Sequence, residues 1–362
     1  MSGTSIDGVD YALCRISPRR IQLADSWQVK FPPLLKRQIH LAARGEANSH
    51  EVGQLHHDLG RFLALHASRR ARPELVGMHG QTIFHRSDKQ APATLQIGEP
   101  AYLAESLRVP VISNFRAADI AAGGEGAPLA TLFHERVFGR ARRHVCVQNI
   151  GGIGNVTSLN YRKEPRRILS FDTGPGNLLI DLAITGFTNG KMRFDRDGCY
   201  ARRGAVHESL LNTWLRAPFF TQAPPKSTGR EQFGESFLQK TKQHCHRLGL
   251  SKNDVLATLT AFTAQSIALN YRLHLGTPPD EVIVAGGGAR NLLLRAWLAR
   301  EFSAWDRGIK VKATTDFGWA EQSIEPSAFA LLAYHRWHKL PGNVPGTTGA
   351  RRPVLLGQIT EC

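Results

Sequence analysis

Apolar and polar residues along this chain follow two periodicities that alternate from end to end. The segment VDYALCRI, residues 9–16, has the apolar, β-branched character of a strand. From His50 to Ala67 apolar residues recur every three or four positions, so they share one face of a helix. That face comprises Val52, Leu55, Leu59, Phe62, Leu63 and His66. Strand-like and helix-like segments continue to alternate further along the chain, which predicts an α/β fold.

The order of elements near the start of the chain returns in its second half. The segments SGTSIDGVDYAL and NIGGIGNVTSL both place a turn rich in glycine and hydroxyl groups before an apolar strand. A chain of 362 residues is long enough for two domains, each with its own core. We therefore expect two similar α/β domains. The first comprises residues 1–124 and about 335–362, and the second comprises residues 125–334.

Composition narrows the class of protein. Hydrophobic residues make up 42% of the chain, which is typical of a globular protein. No apolar run reaches the ~18 residues that a membrane helix needs, and the first residues lack the basic and apolar regions of a signal peptide. The five cysteines are scattered and form no CxxC pair, which argues against a zinc site and a disulfide framework. A reducing cytoplasm is the expected location.

The net charge of +16 indicates a partner or substrate that carries negative charge. Basic clusters such as GRARRH and YRKEPRR are short and far apart in the sequence, and no RNA-recognition signature or zinc-finger spacing accompanies them. We therefore expect no nucleic-acid partner, and the charge favours small anions such as nucleotides and acidic sugars. A nucleic-acid-binding protein remains an alternative that rests on charge alone.

Four glycine-rich turns are the main chemical signal: SGTSIDG, NIGGIGN, DTGPGN and AGGGARN. Each lies near the end of a predicted strand, where backbone amides can point together at an anion. A P-loop is disfavoured because the pair Gly190–Lys191 is followed by Met192 rather than by serine or threonine. No GxGxxG opens a helix after the first strand, which weakens a dinucleotide-binding interpretation. The four turns together predict a phosphate-binding cleft.

Aspartates accompany two of these turns. Asp7 and Asp10 lie in or beside the first turn, and Asp172 leads the segment DTGPGN. A carboxylate beside bound phosphates can hold Mg²⁺ through water or accept a proton from a nucleophile. An Asx turn, in which the side chain bonds its own backbone, is the structural alternative for Asp7 and Asp10. Asp172 is the candidate for a chemical role, and Asn177 is a candidate cap for the helix that follows.

Other polar residues follow predicted strands or lie on loops. His79 and Gln81 follow a buried strand, at the strand end where open α/β sheets bind ligands. Arg116 can clamp a carboxylate or phosphate with two hydrogen bonds, or form a surface ion pair, and Asp119 follows it. The loop PPKSTGRE, residues 224–231, is either an anion-binding lid or a solvated linker.

Ten ordered motifs resemble those of the anhydro-N-acetylmuramic acid kinases. They are MSGTSIDGVD, HGQTIFH, LQIGEP, FRAADIAAGGEGAPL, NIGGIGNVT, FDTGPGN, PPKSTGRE, ATLTAFTAQSI, VAGGGARN and AFALLA. The resemblance implies the sugar kinase, heat-shock ATPase and actin superfold, with two similar domains and ATP in the cleft between them. It also implies ATP-dependent opening of the 1,6-anhydro ring with phosphorylation of O6, which yields N-acetylmuramic acid 6-phosphate in cell-wall recycling.

The resemblance assigns expected roles to individual residues. Asp172 corresponds to the base that activates water, and Asp7 is the candidate for water-mediated contact with Mg²⁺. Arg116 and Glu325 are expected to orient the acidic sugar, with His79, Gln81 and Asp119 nearby. The expected ATP-binding residues are Gly3, Thr4, Ser5, Ile6, Asp7, Gly8, Val9, Asp10, Gly151, Gly152, Gly174, Gly176, Gly286, Gly287, Gly288 and Asn291. The resemblance further suggests a homodimer.

This sequence departs from the family pattern at three places. Family members usually carry a short apolar strand before the first glycine loop, so we expect an upstream start that encodes this strand. Asn114 replaces an aspartate, and Pro326 stands near the first turn of a predicted helix, where proline is tolerated. A non-catalytic relative that binds nucleotide or muropeptide is the alternative to an active kinase.

Overall fold

A computed structural model describes residues 1–3, 6–70, 72–86 and 91–362. The strands are β1 (Gly8–Ile16), β2 (Ile21–Lys30), β3 (Val76–Gly77), β4 (Gln81–Arg86), β5 (Ala93–Ile97), β6 (Val111–Ser113), β7 (His144–Ile150), β8 (Ile153–Asn160), β9 (Arg167–Pro175), β10 (Glu281–Ala285), β11 (Lys310–Ala313) and β12 (Gln358–Thr360). The helices are α1 (Pro33–Ala43), α2 (Ser49–Ser68), α3 (Ala101–Leu107), α4 (Ala117–Ala121), α5 (Thr131–Phe138), α6 (Leu178–Phe187), α7 (Glu208–Leu215), α8 (Pro218–Thr221), α9 (Arg230–Phe233), α10 (Glu235–Arg247), α11 (Lys252–His274), α12 (Leu292–Trp305), α13 (Ile324–Trp337) and α14 (Pro345–Thr348).

The chain divides into two compact units. Unit 1 comprises Met1–Val137 and Gln322–Cys362, and unit 2 comprises Phe138–Glu321. The chain therefore passes from unit 1 to unit 2 after residue 137, whereas the sequence predicted this boundary after residue 124. It returns to unit 1 at residue 322 rather than 335. Both differences follow from packing in unit 1: α13 packs on β1, β3 and β6 with Phe329 in the core, and Leu129, just before α5, and Leu132, in its first turn, join the same hydrophobic cluster. Each unit combines sheets with helices, as the α/β prediction requires.

Within its described residues, unit 1 contains three small sheets. One is the antiparallel hairpin of β1 and β2, one has the order β12-β6-β3, and one is the hairpin of β4 and β5. Before β1, Ser2 forms a single parallel bridge with Gln81, and Met1 and Asp10 exchange two backbone hydrogen bonds. The predicted apolar face of α2 is confirmed, since Leu55, Leu59 and Leu63 are buried and the other three members are partly buried.

Helix α2 begins at a reciprocal cap. The side chain of Asn48 accepts a hydrogen bond from the Glu51 amide, while the Glu51 carboxylate accepts one from the Asn48 amide. These two bonds satisfy groups that have no partner within the helix. The capped helix lays its apolar face on the core of unit 1.

Unit 2 is built on a five-stranded sheet with the order β11-β10-β7-β8-β9. Strands β11, β10 and β7 run parallel, and β8 is antiparallel to β7 and β9. Strand β9 therefore runs in the same direction as β7 and β10, and these three strands end at one edge of the sheet. Helix α11 packs along the sheet and is buried over most of its length. The edge where β7, β9 and β10 end carries the candidate site.

All five cysteines have free thiols. Among the residues that the structure describes, every helix is too short or too polar to cross a membrane.

Candidate active site

Three of the four glycine turns meet at one edge of the unit 2 sheet. The turn after β7 contacts the end of β9 directly: the Asn177 amide donates to Gly151 O at 2.7 Å, and the Gly176 amide donates to Gly152 O at 2.9 Å. The Asn177 side chain donates to Ile150 O at 3.1 Å. Asn177 does occupy the N-cap position of α6, but the prediction that its side chain caps this helix is wrong, because that side chain bonds the neighbouring turn instead.

The third turn, after β10, fits against the end of β7 without room for side chains. Ala285 pairs with Asn149, so the two strands reach the edge in register. Gly286 has φ of +76°, a conformation that favours glycine, and a Cβ there would overlap Asn149 Oδ1. A Cβ on Gly288 would overlap the side chain of Ile150. Close packing of main chains therefore explains glycine at both positions.

Gly151, Gly152 and Gly287 differ from those two glycines. A Cβ on any of the three would lie no closer than 3.7 Å to its nearest neighbour within the protein. Their φ angles also lie outside the left-handed region that disfavours other residues. Contacts among the described residues therefore do not explain why these three positions are glycine.

Asp172 lies near the end of β9, beside these turns. Its Oδ2 accepts a hydrogen bond from the Thr228 amide at 2.8 Å, and its own amide donates to Lys226 O at 3.1 Å. Among the described residues no hydrogen bond reaches Oδ1. Burial raises the pKa of Asp172 to about 6, and nearby Glu231 acts in the same direction, while the Thr228 amide and the Lys226 ammonium oppose them. A carboxylate with this pKa is poised to accept a proton near neutral pH.

A polar stripe on α11 supports the Asp172 turn from beneath. Thr263 donates to Gly176 O at 2.7 Å, and Asn270 donates to Thr173 O at 3.0 Å. Both side chains are buried in an otherwise largely apolar helix. This role was not predicted from the segment ATLTAFTAQSI, which contains Thr263. The available signal was the i, i+7 spacing of hydrogen-bonding side chains, which places Thr263 and Asn270 on one helix face.

Asn291, a predicted ATP-binding residue, begins α12. Its side chain accepts a hydrogen bond from the Leu294 amide at 3.1 Å, which is the standard N-cap interaction.

Side chains of the loop at 224–231 have partners within the protein. The Lys226 ammonium bonds protein atoms, and Arg230 forms an exposed ion pair with Glu235.

The basic clusters that were far apart in sequence lie together at the opposite edge of the same sheet. His144 pairs with Asn160 and Asn160 pairs with Arg167, so the start of β7 and the β8–β9 connection are neighbours. Asp280 neutralises part of the positive charge of these clusters, since it forms ion pairs with Arg162 at 3.0 Å and with Arg143 at 3.9 Å.

The first glycine turn belongs to unit 1. Thr4 and Ser5 lie outside the described residues. Ile6 is buried with φ of +53°, and Gly8 must be glycine because a Cβ would overlap Val29 O in the neighbouring strand. Val9 is fully buried in the core.

The two aspartates of this segment have partners in unit 1. The exposed carboxylate of Asp7 lies 2.6 Å from Lys36 Nζ. Asp10 accepts a hydrogen bond from the Gln28 side chain at 2.8 Å. Gly3 accepts one from Gln81 at 3.3 Å, and Ser2 also bonds Gln81. Gln81 therefore anchors the start of the turn to β4.

Arg116, His79 and Glu325 form a second polar group in unit 1. Arg116 Nη2 lies 3.0 Å from His79 Nε2, and Nη1 donates to Gly126 O at 2.6 Å. Burial and the Arg116 charge hold the pKa of His79 well below its usual value, so its ring is neutral. Burial lowers the pKa of Arg116, and the charge of Glu325 opposes that shift. Glu325 is exposed in the first turn of α13.

Asp119, by contrast, is a buried anchor within unit 1. It is fully inaccessible to solvent and accepts hydrogen bonds from the Gly126 amide at 2.8 Å, Asn343 Nδ2 at 2.7 Å and Thr348 Oγ1 at 2.7 Å. These bonds tie the loop after α4 to the C-terminal segment.

Two departures from the family pattern, Asn114 and Pro326, fit the local structure. Asn114 has φ of +53° and bonds Gln358, and Pro326 is in the first turn of α13.

Comparison with known proteins shows which protein family this chain is similar to. A family model described as anhydro-N-acetylmuramic acid kinase matches residues 1–362. A protein of that name from Picosynechococcus sp. is 42% identical, with 99% of this chain and 97% of the relative covered. Another from Acaryochloris marina is also 42% identical, with coverage of 99% and 98%.

Two solved structures resemble this chain distantly. A ROK family glucokinase from Streptomyces griseus in complex with glucose and AMPPNP has a TM-score of 0.37 at 16% identity, covering 90% of this chain and all of that one. The activator of the 2-hydroxyisocaproyl-CoA dehydratase from Clostridium difficile, with bound ADPNP, has a TM-score of 0.41 at 13% identity, covering 70% and 88%. Scores at this level are too low to support an assignment.

The full-length match to curated kinases makes this chain a phosphotransferase, an enzyme that binds a nucleotide and transfers a phosphoryl group. It belongs to the anhydro-N-acetylmuramic acid kinase family.

Proposed function

We propose that this enzyme uses ATP and water to convert anhydro-N-acetylmuramic acid into N-acetylmuramic acid 6-phosphate. Water adds to the anomeric carbon C1 as the bond between C1 and the bridging oxygen O6 breaks. The electron pair of that bond passes to O6, which takes the γ-phosphoryl group as its bond to ADP breaks. The proton of the attacking water passes to a base. The products are ADP and a reducing 6-phosphosugar.

Asp172 is the proposed base, and its environment is the observation that carries the proposal. The Thr228 amide fixes one carboxylate oxygen at 2.8 Å, while no described residue donates a hydrogen bond to the other. Burial brings the pKa of this carboxyl to about 6, so it is mostly ionised at neutral pH and still basic enough to accept a proton. A carboxylate with one fixed and one open oxygen can orient an attacking water molecule.

The glycine turns of unit 2 are the proposed ATP site within that unit. Packing within the protein does not require glycine at Gly151, Gly152 or Gly287, since a Cβ there would make only ordinary van der Waals contact, and close approach of phosphate oxygens to main-chain amides is a reason for glycine at these positions. Gly174, Gly176, Gly286 and Gly288 shape the neighbouring main chain by close packing. Amides aimed at the phosphates stabilise the charge that develops during phosphoryl transfer.

In unit 1 the proposal assigns the turn from Gly3 to Asp10 to the phosphates of ATP. Asp7 would hold Mg²⁺ through water, because its exposed carboxylate supplies the hard oxygen ligand that this ion prefers. Mg²⁺, when bound, offsets the negative charge of the phosphates. Lys36, 2.6 Å from Asp7 in this structure, neutralises the same carboxylate when the ion is absent.

Arg116 and Glu325 are the proposed contacts to the acidic sugar in unit 1. The neutral ring of His79 lies against the Arg116 guanidinium and orients it. Gln81 and Asp119 act indirectly in this proposal, because Gln81 anchors the first glycine turn and Asp119 anchors the loop that carries Gly126. We further propose the two-domain arrangement of the sugar kinase, heat-shock ATPase and actin superfold, a place in cytoplasmic cell-wall recycling, and a homodimer.

The test is a product analysis of the purified protein with ATP, Mg²⁺ and anhydro-N-acetylmuramic acid. We expect ADP and a sugar whose mass has increased by one phosphoryl group and one water, with a new reducing end. Asp172→Asn should bind ATP yet lose at least about 10²-fold in kcat, the usual scale for a general base. Asp197→Asn is the matched control: the same chemical change in unit 2 at φ of +55°, which asparagine tolerates.

Two results would contradict the proposal. A phosphorylated sugar that retains the anhydro ring would show that water is not a reactant. Binding of ATP or sugar without turnover in the wild-type protein, under conditions where a curated relative is active, would favour a non-catalytic binding protein.

A further inference from the structure

We infer that Lys226 is a positioning residue for Asp172. Its ammonium bonds a buried frame, formed by Phe219 and Phe220 of helix α8 and the aromatic rings packed on them, and thereby holds residues 226–228 in place. The main chain of those residues holds the Asp172 carboxylate. This inference rests on the proposed function, in which Asp172 is the base. It replaces the expectation that Lys226 belongs to an anion-binding lid or a solvated linker.

The ammonium of Lys226 has three partners within the protein. It donates to Phe219 O at 3.0 Å and to Phe220 O at 3.1 Å, and it lies 3.1 Å from His274 Nε2. It also lies 4.6 Å from the centre of the Phe219 ring. Two of its three N–H donors are therefore bound to main-chain carbonyls, and His274 Nε2 itself lies 3.0 Å from Phe220 O. Lys226 therefore links the loop to the main chain of Phe219 and Phe220 and acts as an internal fastener.

The frame to which Lys226 is fastened is buried. Phe219 and Phe220 form helix α8 and are almost inaccessible to solvent, and they pack with Phe233 and Phe262. The frame also contacts the Asp172 turn from a second side. A Cβ on Gly174 would lie 2.9 Å from the Phe220 ring, so this ring closes against the main chain two residues beyond Asp172.

The loop in turn is bonded to Asp172 at two points. Lys226 O accepts from the Asp172 amide at 3.1 Å, and the Thr228 amide donates to Asp172 Oδ2 at 2.8 Å. The Thr228 hydroxyl is directed elsewhere, to Gln232 Oε1 at 2.8 Å. Among the described residues the Thr228 amide is the sole hydrogen-bond donor to this carboxylate. The position of the base therefore depends on the main chain of a loop that Lys226 holds.

The positive charge of Lys226 also affects the pKa of Asp172. Lys226 and Glu231 are the charged groups that act on Asp172: Lys226 lowers its pKa and Glu231 raises it. Asp172 in turn raises the pKa of Lys226, while burial lowers that pKa to about 8. The neighbouring His274 has a pKa below its usual value through burial and the Lys226 charge, so it adds no positive charge. Loss of the Lys226 charge must therefore raise the pKa of Asp172.

The experiment compares three substitutions in the full-length protein. Lys226→Met keeps the length of the side chain and removes both charge and donors, while Lys226→Arg keeps the charge. Lys252→Met is the matched control, because Lys252 also contacts a main-chain carbonyl and an aromatic ring, those of Phe187. The readouts are kcat and KM as functions of pH, and hydrogen exchange of the peptide that contains residues 226–230.

We expect Lys226→Met to lower kcat about tenfold with little change in KM for ATP, since a displaced base impairs only the chemical step. The acid limb of the kcat–pH profile should move to higher pH, and the loop amides should exchange faster. Lys226→Arg should restore the acid limb toward its wild-type position. Lys252→Met should match the wild type in every readout. A purely structural role for Lys226 would lower the melting temperature without moving the acid limb.

The inference is overturned if Lys226→Met retains wild-type kcat, acid limb and loop exchange. Should Lys226→Met fail to fold, Lys226→Gln and Lys226→Arg provide the same comparison, with the acid limb moved in the first and retained in the second. Failure of the proposed function is separately visible. If Asp172→Asn stays active, Asp172 is not the base, whereas an inactive Asp172→Asn with an unaffected Lys226→Met rejects the inference alone.

Discussion

The main-chain amide of Thr228 donates a 2.8 Å hydrogen bond to the carboxylate of Asp172, 56 residues earlier in the chain. The bond joins a loop between two short helices to the end of a sheet strand. It fixes one oxygen of a partly buried carboxyl whose pKa is raised to about 6. Four measurable consequences follow from the surroundings of this pair and from the anchors of the site.

The first concerns stability. The pKa of Asp172 is about 6 in the folded protein and near 3.8 in the unfolded chain, so between these values the folded state binds more protons. The free energy of unfolding therefore loses a contribution as pH rises through this window. Asp172→Asn removes the ionisation and should be more stable than wild type by roughly 1–2 kcal/mol above pH 7, a gain typical of relieved active-site strain.

Thermal melting of both proteins from about pH 4 to 8 checks this. The difference in melting temperature should be near zero at the acid end, where both side chains are neutral, and should grow as pH rises. A difference that does not vary with pH would show that the folded-state pKa of Asp172 is not raised.

The second concerns the pH dependence of turnover. A base must be ionised to accept a proton, so kcat/KM should rise with pH through a value near 6, the pKa of Asp172 in the ligand-free protein, and then level off. Initial rates at substrate concentrations well below KM, from about pH 5 to 8, give this limb directly. An acid limb near pH 4 would place the relevant carboxyl in a solvated environment and would contradict the burial seen here.

The third prediction distinguishes glycines that are required by packing from glycines that contact the ligand. Gly288→Ala should lower the free energy of unfolding by at least about 1 kcal/mol, because its Cβ overlaps the Ile150 side chain. Gly152→Ala has 3.7 Å of clearance and should fold normally. If the amides of this turn meet phosphate, the same substitution should raise KM for ATP.

Denaturant unfolding and ATP titration of the two variants provide the comparison. An unchanged KM for ATP in Gly152→Ala would remove this turn from the proposed phosphate site, whatever the stability of the variant.

The fourth concerns Asp119, which the family resemblance places near the sugar. Its carboxylate accepts three hydrogen bonds and is fully buried. Asp119→Ala should therefore destabilise unit 1 by about 3 kcal/mol, because the Gly126 amide, Asn343 and Thr348 lose their acceptor. Melting without substrate measures this, and Asp119→Ala with a wild-type melting temperature but weakened sugar binding would support direct contact instead.

Local features of the chain were predictable because they depend on neighbouring residues. The apolar period over His50–Ala67 is helix α2, with the expected face toward the core. The apolar run EVIVA is strand β10, and the glycines after it form a turn with φ of +76° at Gly286. The ordered motifs led to the family that the full-length comparisons confirm.

The sequence by itself determined local elements such as α2 and β10 and the family, and it made Asp172 the candidate base, because periodicity, turn chemistry and motifs are properties of short segments. Only the tertiary structure decided that three glycine turns share one sheet edge, that Lys226 is an internal fastener and that Asp119 is buried. Those outcomes depend on hydrogen bonds between residues up to 229 positions apart, such as Asp119 and Thr348. The pKa of Asp172 likewise follows from what folding places around it, and no local pattern encodes that burial.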